Sequence, residues 1–591
     1  MDQNLICSFQ KTVNRLQDKP CIQFKQRGKW RTLTWSDFDK RVRALSAGLF
    51  KLGIQKGDTI SLLSNSRYEW TLCDLSILSL GAISVPIYQS NTVEQCEYIV
   101  KNSDSKIVIV EDKNLLKKIQ SVLHNLPLVK KIIIIQGKAE GDNVISLEDL
   151  MSLGKDEDKK DFDERIQKIQ PTDHATFVYT SGTTGPPKGV ILRHSNFLSE
   201  IEACAHIIQL SEDETGLLFL PLAHIFARVL QFYHITVGFT HAYAESIEKL
   251  IDNITEIKPH FMVSVPRIFE KIHERVMAQV ESSPPLKKAI FYWATSLGKS
   301  VTERKASKGP ISLMDHFQYL LASQLVFRKI RQKMGGRLKF CVSGGAPLSK
   351  EINEFFNAVG IQILEGYGLT ETTAAVACNT LEKNRVGTVG SVVKGVKIKL
   401  DTDGEILVKG DVVFHGYYKN QEATDEAFTS DGWFRTGDVG EMDKDGFLRI
   451  TDRKKDIIVT AAGKNIAPQN IENLIKLDKH ISQVVVLGDK KKYLSALVTL
   501  NRDEILNFAK TVEISTSDYA KLIQSPQVHA LIKGVIDEKN KRLAKFETVK
   551  KFAILDNDFS QESGELTPTL KVKRRFVSEK YKEILDRLYQ D

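Results

Sequence analysis

Short apolar runs rich in β-branched residues alternate with helix-like stretches through the first 170 residues of the chain. Three of these runs, Thr59–Leu63, Ile107–Val110 and 132–135, have the length and composition of buried strands. Before them, the stretch 36–52 repeats apolar residues every three or four positions, as a helix with one buried face does. Alternating strands and helices form parallel sheets that are covered by helices. The sequence therefore predicts an α/β fold with layered, largely parallel sheets.

The length of the chain predicts more than one domain, since 591 residues exceed what one hydrophobic core supports. Five consecutive charged residues at 452–456 stand between apolar strands and predict an exposed connector. We expect a large N-terminal domain at 1–452 with a β-rich subdomain near its end. A hinge at 453–456 and a smaller, mobile α+β domain at 457–591 follow. The polar stretch 140–163 predicts a solvated connection.

Composition excludes several classes of protein. The net charge of +9 suits anionic small ligands or an acidic membrane surface and does not require nucleic acid. The seven cysteines are scattered without a C-x-x-C pair, which indicates a reducing compartment and neither a zinc site nor a disulfide framework. Neither an 18-residue uncharged apolar run nor an N-terminal signal pattern is present. We therefore expect a cytoplasmic protein.

The loop between two predicted strands at 179–190 is rich in hydrogen-bond donors. Its small and hydroxyl-bearing residues are Thr180, Ser181, Gly182, Thr183, Thr184 and Gly185, and Lys188 follows two prolines. Glycines let the backbone approach an anion, hydroxyl and amide groups donate to its oxygens, and the ammonium group neutralises its charge. The pattern predicts polyphosphate binding, with a plain surface turn as the alternative. It differs from the P-loop of NTPases, where a Gly directly precedes a Lys-Ser or Lys-Thr pair.

Two further glycine-rich segments follow predicted strands and predict a ligand crevice at the strand ends. The first contains Gly344, Gly345, Ala346 and Pro347, and the second contains Glu365, Gly366, Tyr367, Gly368, Thr370 and Glu371. Small residues leave room for a flat ring, on which Tyr367 could stack. The carboxylate of Glu371 beside Thr370 offers hard oxygen ligands that suit Mg²⁺.

Two other features leave alternatives open. His224 follows an apolar strand and a proline and is either a packed structural residue or part of the site. The region 287–333 combines basic residues with aromatic and aliphatic ones on predicted helices, which is typical of peripheral contact with an anionic membrane. A solvated helical face or a homodimer contact is the alternative for this region.

Taken together and in order, these segments resemble the adenylate-forming (AMP-binding) superfamily of acyl-CoA synthetases, adenylation domains and luciferases. The resemblance covers nearly the whole chain. The segments 221–228, 265–271 and 566–571 are most similar to bacterial-type long-chain fatty acyl-CoA synthetases. It implies ATP-dependent activation of a long-chain fatty acid to acyl-CoA through an acyl-adenylate, with Mg²⁺ as cofactor and with ATP and coenzyme A as co-substrates. Acyl carrier protein as the acceptor, release of the acyl-adenylate by a fatty acyl-AMP ligase, and a non-catalytic binding protein are alternatives.

The resemblance also implies roles for individual residues. The loop from Thr180 to Gly185 holds phosphates with Lys188, the two glycine-rich segments hold adenine, and Glu371 binds Mg²⁺. Asp438 accepts hydrogen bonds from the ribose hydroxyl groups, with Arg453 helping. Lys571 is the implied catalytic lysine, with Lys573 as a competitor because Leu570 stands where many relatives have glycine.

The remaining implied roles concern the acyl chain, coenzyme A and the hinge. Lys455 is the implied hinge residue, and Gly463 with Lys464 lies on the coenzyme A path. Phe226, Val263 and Val265, next to His224, are candidate walls of an acyl tunnel.

Overall fold

The computed structural model describes residues 2–180, 186–306, 309–461, 464–514, 518–567 and 572–590. Predicted site residues Ser181, Gly182, Thr183, Thr184, Gly185, Gly463 and Lys571 lie outside these ranges. The strands are β1 Pro20–Gln26, β2 Lys29–Thr34, β3 Thr59–Leu63, β4 Ile83–Ile87, β5 Ile107–Val110, β6 Lys131–Ile134, β7 Val144–Ser146, β8 His174–Thr180, β9 Lys188–Arg193, β10 Thr215–Leu218, β11 Thr240–Tyr243, β12 Phe261–Ser264, β13 Phe340–Ser343, β14 Gln362–Leu369, β15 Ala374–Cys378, β16 Ser391–Val392, β17 Val396–Leu400, β18 Glu405–Gly410, β19 Phe434–Met442, β20 Leu448–Arg453, β21 Ile458–Val459, β22 Asn465–Ile466, β23 Ile481–Leu487, β24 Leu494–Leu500 and β25 Val549–Ile554.

The helices follow the predicted alternation with the strands. They are α1 Leu5–Leu16, α2 Trp35–Lys51, α3 Tyr68–Leu78, α4 Val93–Asn102, α5 Lys113–Gln120, α6 Leu147–Gly154, α7 Lys159–Gln167, α8 His194–Ile207, α9 Ile225–Val237, α10 Leu250–Ile257, α11 Pro266–Glu281, α12 Pro285–Ala306, α13 Leu313–Ala322, α14 Arg328–Lys333, α15 Lys350–Ala358, α16 Gln421–Ala427, α17 Pro468–Ile475, α18 Arg502–Thr511, α19 Tyr519–Ile523, α20 Pro526–Asn540, α21 Arg574–Lys580 and α22 Lys582–Leu588.

Two compact units divide the chain. The first comprises Met1–Lys399, Leu407–Thr436 and Met442–Arg449, and the second comprises Leu400–Ile406, Gly437–Glu441 and Ile450–Asp591. The predicted α/β class, with a large unit and a smaller one, is confirmed.

The first unit contains two large sheets. One has the strand order β7-β6-β5-β3-β4-β8-β9, and the other has the order β16-β15-β14-β13-β12-β10-β11-β1-β2. Strands β3, β4 and β5 pair in parallel and are buried along their whole length. Their side chains are mostly apolar on both faces, as is typical of a parallel sheet that helices cover on both sides, and the exceptions are buried Thr59, Ser61 and Ser84.

The parallel strands of the second sheet bring its predicted site segments to one edge. Ser264 at the end of β12 pairs with Ser343 at the end of β13, and Ser343 pairs with Glu365 of β14. The residues that follow these positions, Val265 and Gly344 among them, therefore lie at the same edge of the sheet. The register thus positions the candidate site.

The second glycine-rich segment was predicted to follow its strand, and this was wrong, because most of the segment belongs to strand β14. The strand continues to Leu369 and pairs in antiparallel fashion with β15, with a bulge between Tyr367 and Gly368. Its glycines let the partner strand approach. A Cβ atom at Gly368 would lie 1.3 Å from the carbonyl oxygen of Ala374. A Gly-rich run that reads as a turn is here a strand with a close neighbour.

Two other expectations about exposure are confirmed for most of their residues and wrong for a few. The stretch 140–163 contains β7, α6 and the start of α7, and it is anchored by buried Leu147, Leu150 and Phe162. Asp452, expected in an exposed connector, is only 6% exposed, and burial raises the pKa of its carboxyl group to about 6. In the stretch 140–163, the few apolar residues at helical spacing were overlooked because charged residues surround them in the sequence.

The second unit has its own hydrophobic core. Strands β23 and β24 pair antiparallel, and β24 and β25 pair in parallel. Buried Ile471 of α17 and Ile532 of α20 pack with Val484 and Val498 of the sheet. A sheet with helices and its own core is an α+β unit.

Candidate active site

The sheet that contains β12, β13 and β14 brings two groups of predicted residues together at one edge. A Cβ atom at Gly344 would lie 3.2 Å from the ring of Phe226, and one at Gly345 would lie 3.8 Å from a methyl group of Val265. Gly345 has φ +81°, a conformation that favours glycine. Ala346 and Pro347 continue this turn on the surface, and Val263 is buried in β12. The predicted adenine turn and the predicted acyl walls are therefore neighbours.

A single tyrosine connects the predicted phosphate-binding lysine with the predicted metal-binding glutamate. The Nζ atom of Lys188 lies 5.1 Å from the ring centroid of Tyr417. The hydroxyl group of Tyr417 donates a hydrogen bond of 3.0 Å to Oε1 of Glu371. Burial, and then the carboxylate of Glu371, raise the pKa of Tyr417, so the hydroxyl group keeps its proton for this hydrogen bond.

The segment around Tyr417 is held against strand β9, which begins at Lys188. Tyr417 forms an antiparallel bridge with Val190, and the amide of Tyr418 donates to the carbonyl oxygen of Gly189 at 2.7 Å. The amide of Phe414 also donates to the carbonyl oxygen of Glu371 at 2.7 Å. Tyr417 was not predicted from the sequence. The only local signal for this residue is that an aromatic side chain follows a glycine.

Strands β8 and β9 form the hairpin that carries the predicted phosphate loop. Thr180, the last residue of β8, pairs with Lys188, the first residue of β9. The two ends of the loop are thereby fixed next to each other, and Lys188 is tied to a strand.

Glu371 and its neighbours are suited to holding a magnesium ion. The carboxylate is half-buried at a short 3₁₀ turn, Thr370–Thr372, and one of its oxygens is oriented by Tyr417. Mg²⁺ binds hard oxygen ligands, usually one or two carboxylates together with substrate phosphates and water. A hydrogen bond that orients a ligating carboxylate is common at such sites. The donor set therefore fits the ion.

Two predicted site residues have structural partners. Glu365 is buried and accepts a hydrogen bond of 2.9 Å from Asn353, and burial raises the pKa of its carboxyl group to about 7. The Nδ1 atom of His224 accepts from the amide of Phe226 at 3.2 Å and so caps helix α9. His224 therefore has a structural role at the start of α9, and its place in the site stays a prediction. Tyr367 is half-buried and pairs with Ala377 of β15.

The second unit brings Asp438 and Arg453 together. The Nε atom of Arg453 lies 3.1 Å from Oδ1 of Asp438, whose residue is only 4% exposed. Asp438 belongs to β19, and Arg453 is the last residue of β20. A buried carboxylate that is oriented by a guanidinium group can accept hydrogen bonds from paired hydroxyl groups.

Nearby carboxylates in the second unit already have a cation. Within the described ranges, Asp401, Asp403 and Glu405 offer oxygens that lie within 4.8 Å of one another. The Nζ atom of Lys454 lies 2.5 Å from Asp403 and 3.0 Å from Glu405. Lys454 therefore neutralises two of the three acids, exposed Asp403 and buried Glu405.

The described residues on either side of the predicted catalytic lysine are well anchored. Leu566 and Val572 form an antiparallel bridge. Arg574, the first residue of α21, donates to both carboxylate oxygens of Glu472 at 2.6 and 3.1 Å. This pair was not predicted, because Glu472 lies about 100 residues earlier in the chain.

The predicted hinge residue and Lys464, the described residue of the predicted coenzyme A path, are exposed. Lys455 lies in an exposed turn, and the Nζ atom of Lys464 lies 5.9 Å from the ring centroid of Phe546. The roles of both residues stay predictions.

Comparisons with known proteins agree along the whole chain. The family model described as AMP-binding enzyme matches residues 9–418, and the model described as AMP-binding enzyme C-terminal domain matches residues 455–591. The long-chain-fatty-acid–CoA ligase FadD15 of Mycobacterium bovis is 38% identical over 586 residues, which is 97% of this chain and 95% of that protein. The long-chain-fatty-acid–CoA ligase ACSBG2 of Xenopus laevis is 32% identical over 99% of this chain and 83% of that protein.

The fold is also similar to solved structures. The adenylation domain of a carboxylate reductase from Mycobacterium chelonae matches with a TM-score of 0.80 and 23% identity, over 100% of this chain and 91% of that one.

Proposed function

The chain belongs to the AMP-binding enzyme family, and we propose that it is a long-chain fatty acid–CoA ligase. It joins a fatty acid to ATP as an acyl-adenylate with release of pyrophosphate, and then transfers the acyl group to coenzyme A with release of AMP. The observation that carries the proposal is the linked set Lys188, Tyr417 and Glu371 at the mouth of the predicted phosphate loop, in a chain similar throughout to ligases of this kind.

The chemistry requires charge neutralisation and alignment more than a protein nucleophile. A carboxylate is a poor nucleophile and is repelled by a triphosphate, so the protein must hold both in line and offset their charge. Lys188 binds the β- and γ-phosphates, with the loop from Thr180 to Gly185. When bound at Glu371, Mg²⁺ neutralises charge on the phosphates. Asp438, oriented by Arg453, accepts hydrogen bonds from the ribose.

We assign the α-phosphate and the attacking carboxylate to Lys571. Lys571 is preferred over Lys573 because the segment 571–575 resembles the Lys-x-x-Arg-Arg ending of the family, with Lys571 as its first residue. Lys571→Ala is expected to slow adenylation far more than thioester formation. Equal slowing of both half-reactions, or a larger effect of Lys573→Ala, would contradict the assignment.

The two half-reactions are proposed to alternate through the hinge at 453–456. Rotation of the domain 457–591 about Lys455 would withdraw Lys571 and bring Gly463 and Lys464 to the path of pantetheine. Lys455→Pro restricts this backbone rotation, so it is expected to spare adenylation and to depress thioester formation. A loss of both half-reactions to the same extent would remove the hinge from the mechanism.

The acyl chain is proposed to lie along Phe226, Val263 and Val265, next to the turn at Gly344. Each buried methylene group contributes about 0.8 kcal/mol, so long chains should bind more tightly than short ones. Pyrophosphate release with carboxylic acids of increasing length tests this. A rate that does not depend on chain length would contradict a long-chain substrate.

The acceptor separates the proposed ligase from its closest alternatives. With a long-chain acid and ATP, the proposed enzyme turns over repeatedly when coenzyme A is added. Turnover with acyl carrier protein alone would indicate an acyl carrier protein ligase. Accumulation of free acyl-adenylate with either acceptor would indicate a fatty acyl-AMP ligase, and the absence of pyrophosphate release under all conditions a binding protein.

An anionic membrane is the proposed docking partner of the helices α12 to α14, in a protein that we propose to be cytoplasmic. Helix α13 exposes an apolar face formed by Leu313 (91% exposed), Met314, Phe317 (66%), Leu320 and Leu321. Basic residues, among them Lys305 and Arg328, stand in the adjoining helices. No described helix is long and apolar enough to cross a membrane, so the contact would be peripheral.

Sedimentation with vesicles tests the membrane contact. The protein is expected to bind vesicles that contain phosphatidylglycerol at low salt, and Leu313→Gln with Phe317→Gln should release it. If the same double variant instead converts a dimer into a monomer without changing vesicle binding, the face is a homodimer contact.

A further inference from the structure

The backbone directly after Glu371 adopts a strained conformation. Thr373 has φ +55° and Ala374 has φ +105°, and neither residue is glycine. Side chains with a Cβ atom reach this region at a cost of about 1–3 kcal/mol per residue. The turn therefore persists only because surrounding contacts hold it.

The strained turn is also the reason for a glycine in the motif. The carbonyl oxygen of Ala374 occupies the place of a Cβ atom at residue 368, at 1.3 Å. Gly368 is thus required by the backbone of the turn, and the turn is packed against the strand that leads to Glu371. A change in the turn would be transmitted to that carboxylate through two residues of backbone.

Within the turn itself, the hydroxyl group of Thr372 donates to the carbonyl oxygen of Ala374 at 3.0 Å, and the amide of Thr373 donates to the carbonyl oxygen of Thr370 at 3.1 Å. Two further contacts, among the described residues, hold the turn from other segments. The amide of Ala375 donates a hydrogen bond of 2.8 Å to Oε1 of Glu200. The hydroxyl group of Thr373 donates at 2.6 Å to the carbonyl oxygen of Val412, in the segment that leads to Tyr417. The first contact comes from helix α8, which follows the phosphate hairpin in the chain.

Glu200 is an unusual residue for its position, because it is fully buried. Burial raises the pKa of its carboxyl group well above the usual range, which favours the neutral acid. Besides Ala375, the thiol of Cys204 donates weakly at 3.9 Å, and Oε2 has no partner among the described residues. Burying a polar group costs free energy unless hydrogen bonds offset it. The Ala375 amide is thus the main interaction of this side chain.

We propose that Glu200 is a positioning residue, which holds the strained turn at 373–374 and thereby orients the carboxylate of Glu371 toward the magnesium ion of MgATP. The inference rests on the proposed role of Glu371. Glu200, a residue of helix α8, thereby affects metal binding without itself touching the metal ion or the nucleotide.

Calorimetric titration with MgATP, in the absence of fatty acid and therefore of turnover, tests the inference. Glu200→Leu keeps the buried volume and removes the acceptor, and it is expected to weaken MgATP binding about tenfold, as changes behind a metal ligand do. ATP binding in EDTA should stay at the wild-type level. Glu200→Gln retains an acceptor oxygen and should bind MgATP within about twofold of the wild type.

A second substitution distinguishes positioning from a general structural role. Glycine adopts positive φ without strain, so adding Ala374→Gly to Glu200→Leu should restore most of the MgATP affinity. The matched control is Glu202→Ala. The carboxylate of Glu202 is on the same helix, but it pairs with Lys394 and not with the turn. Glu202→Ala should bind MgATP like the wild type.

The outcomes separate this inference from the proposed function. If Glu371→Gln binds MgATP as the wild type does, the role of Glu371 fails. If Glu371→Gln weakens binding but Glu200→Leu does not, the positioning role of Glu200 is wrong. If Glu200→Leu fails to fold, a folded double variant with restored affinity supports the inference. A double variant that is unfolded, or folded with weak affinity, makes Glu200 a core residue only.

Discussion

Tyr417 is the residue that connects the two charges of the candidate site. Its ring lies next to the ammonium group of Lys188, and its hydroxyl group donates to Glu371. The geometry gives two separable functions to one side chain. The ring offers a cation–π contact, and the hydroxyl group orients a carboxylate.

Tyr417→Phe tests the second function alone. The ring remains, and the hydrogen bond to Glu371 is lost, so the KM for MgATP is expected to rise about tenfold. The free energy of unfolding should fall by about 1 kcal/mol. Steady-state kinetics at several magnesium concentrations and denaturant unfolding measure these changes.

Tyr418→Phe is the matched control for this substitution. The hydroxyl group of Tyr418 donates to Asp104 at 3.0 Å and not to Glu371. This variant should lose a similar amount of stability and keep the wild-type dependence on magnesium. Equal magnesium dependence in both variants would show that Tyr417 does not orient Glu371.

Candidate site residues can be recognised in the sequence where a motif is continuous. Lys188 and Glu371 each belong to a short run whose chemistry is recognisable locally, whereas the role of Asp438 is implied by the family resemblance, and all three roles stay predictions. Tyr417 and Glu200 were not predicted, because their partners are about 46 and 175 residues away in the chain. Contacts between residues so far apart in the chain depend on strand register and helix packing. Neither can be predicted from the composition of the chain or from the spacing of its motifs.

At the scale of the elements, helices α3 and α9 are joined by a buried ion pair. The guanidinium group of Arg228 lies 2.6 Å from Asp74, and both side chains are fully buried. Arg228 also donates to Thr176, and Gln231 donates to Asp74, while the Nε atom of Arg228 has no partner among the described residues. Arg228 ends the segment 221–228 that resembles long-chain ligases, and it is fully buried.

Substitution of Asp74 should therefore be strongly destabilising. Asp74→Ala leaves an uncompensated buried guanidinium group and is expected to lower the free energy of unfolding by about 3–5 kcal/mol. The double variant Asp74→Leu with Arg228→Met removes both charges and should be more stable than Asp74→Ala. Denaturant unfolding of the three variants measures this. A double variant less stable than the single one would mean that the pair itself is strongly favourable.

Strand β14 shows why the elements could be predicted only in part. Strands β3 and β5 were predicted with their observed bounds, since a buried parallel strand is an uninterrupted apolar run. The continuation of β14 through Gly366 and Gly368 was missed, because glycine is rare in strands and common in turns. The reason for those glycines is the backbone of β15, which the sequence of β14 does not show.

At the scale of the whole molecule, buried ionisable groups make stability depend on pH. His194 is fully buried, and burial lowers its pKa from 6.5 to about 4. The unfolded chain therefore binds a proton below pH 6.5 that the folded chain does not bind. Stability from this group is complete above pH 6.5 and falls as the pH falls toward 4. Glu365, with its pKa raised to about 7, has the opposite effect between pH 4.5 and 7.

The contribution of His194 can be isolated by substitution. Between the pKa of a group in the unfolded chain and its pKa in the folded chain, the free energy of unfolding changes by about 1.4 kcal/mol per pH unit. Between pH 7.5 and 5.0, His194→Gln should therefore lose about 2 kcal/mol less stability than the wild type. Glu365→Gln is expected to shift the difference in the opposite direction. Unfolding of the first unit, followed at both pH values, measures this, and equal losses in wild type and His194→Gln would contradict a buried neutral imidazole.

The division into units could be predicted only roughly from the sequence. Length and the charged run at 452–456 indicated two units. The residues Leu400–Ile406 and Gly437–Glu441 belong to the second unit although they precede that run. Strand pairing assigns these short segments to the second unit. Their amino-acid composition does not distinguish them from neighbouring segments of the first unit.

The transfer of an oxygen atom tests the central claim most directly. A long-chain fatty acid labelled with ¹⁸O in its carboxylate is incubated with ATP, Mg²⁺, coenzyme A and the protein, and the nucleotides are separated by mass. Attack of the carboxylate on the α-phosphorus leaves its oxygen on AMP when coenzyme A takes the acyl group. The proposed reaction therefore predicts AMP that carries one ¹⁸O atom, with one acyl-CoA formed for each AMP. ADP together with ¹⁸O-labelled phosphate, or AMP without the label, would contradict it.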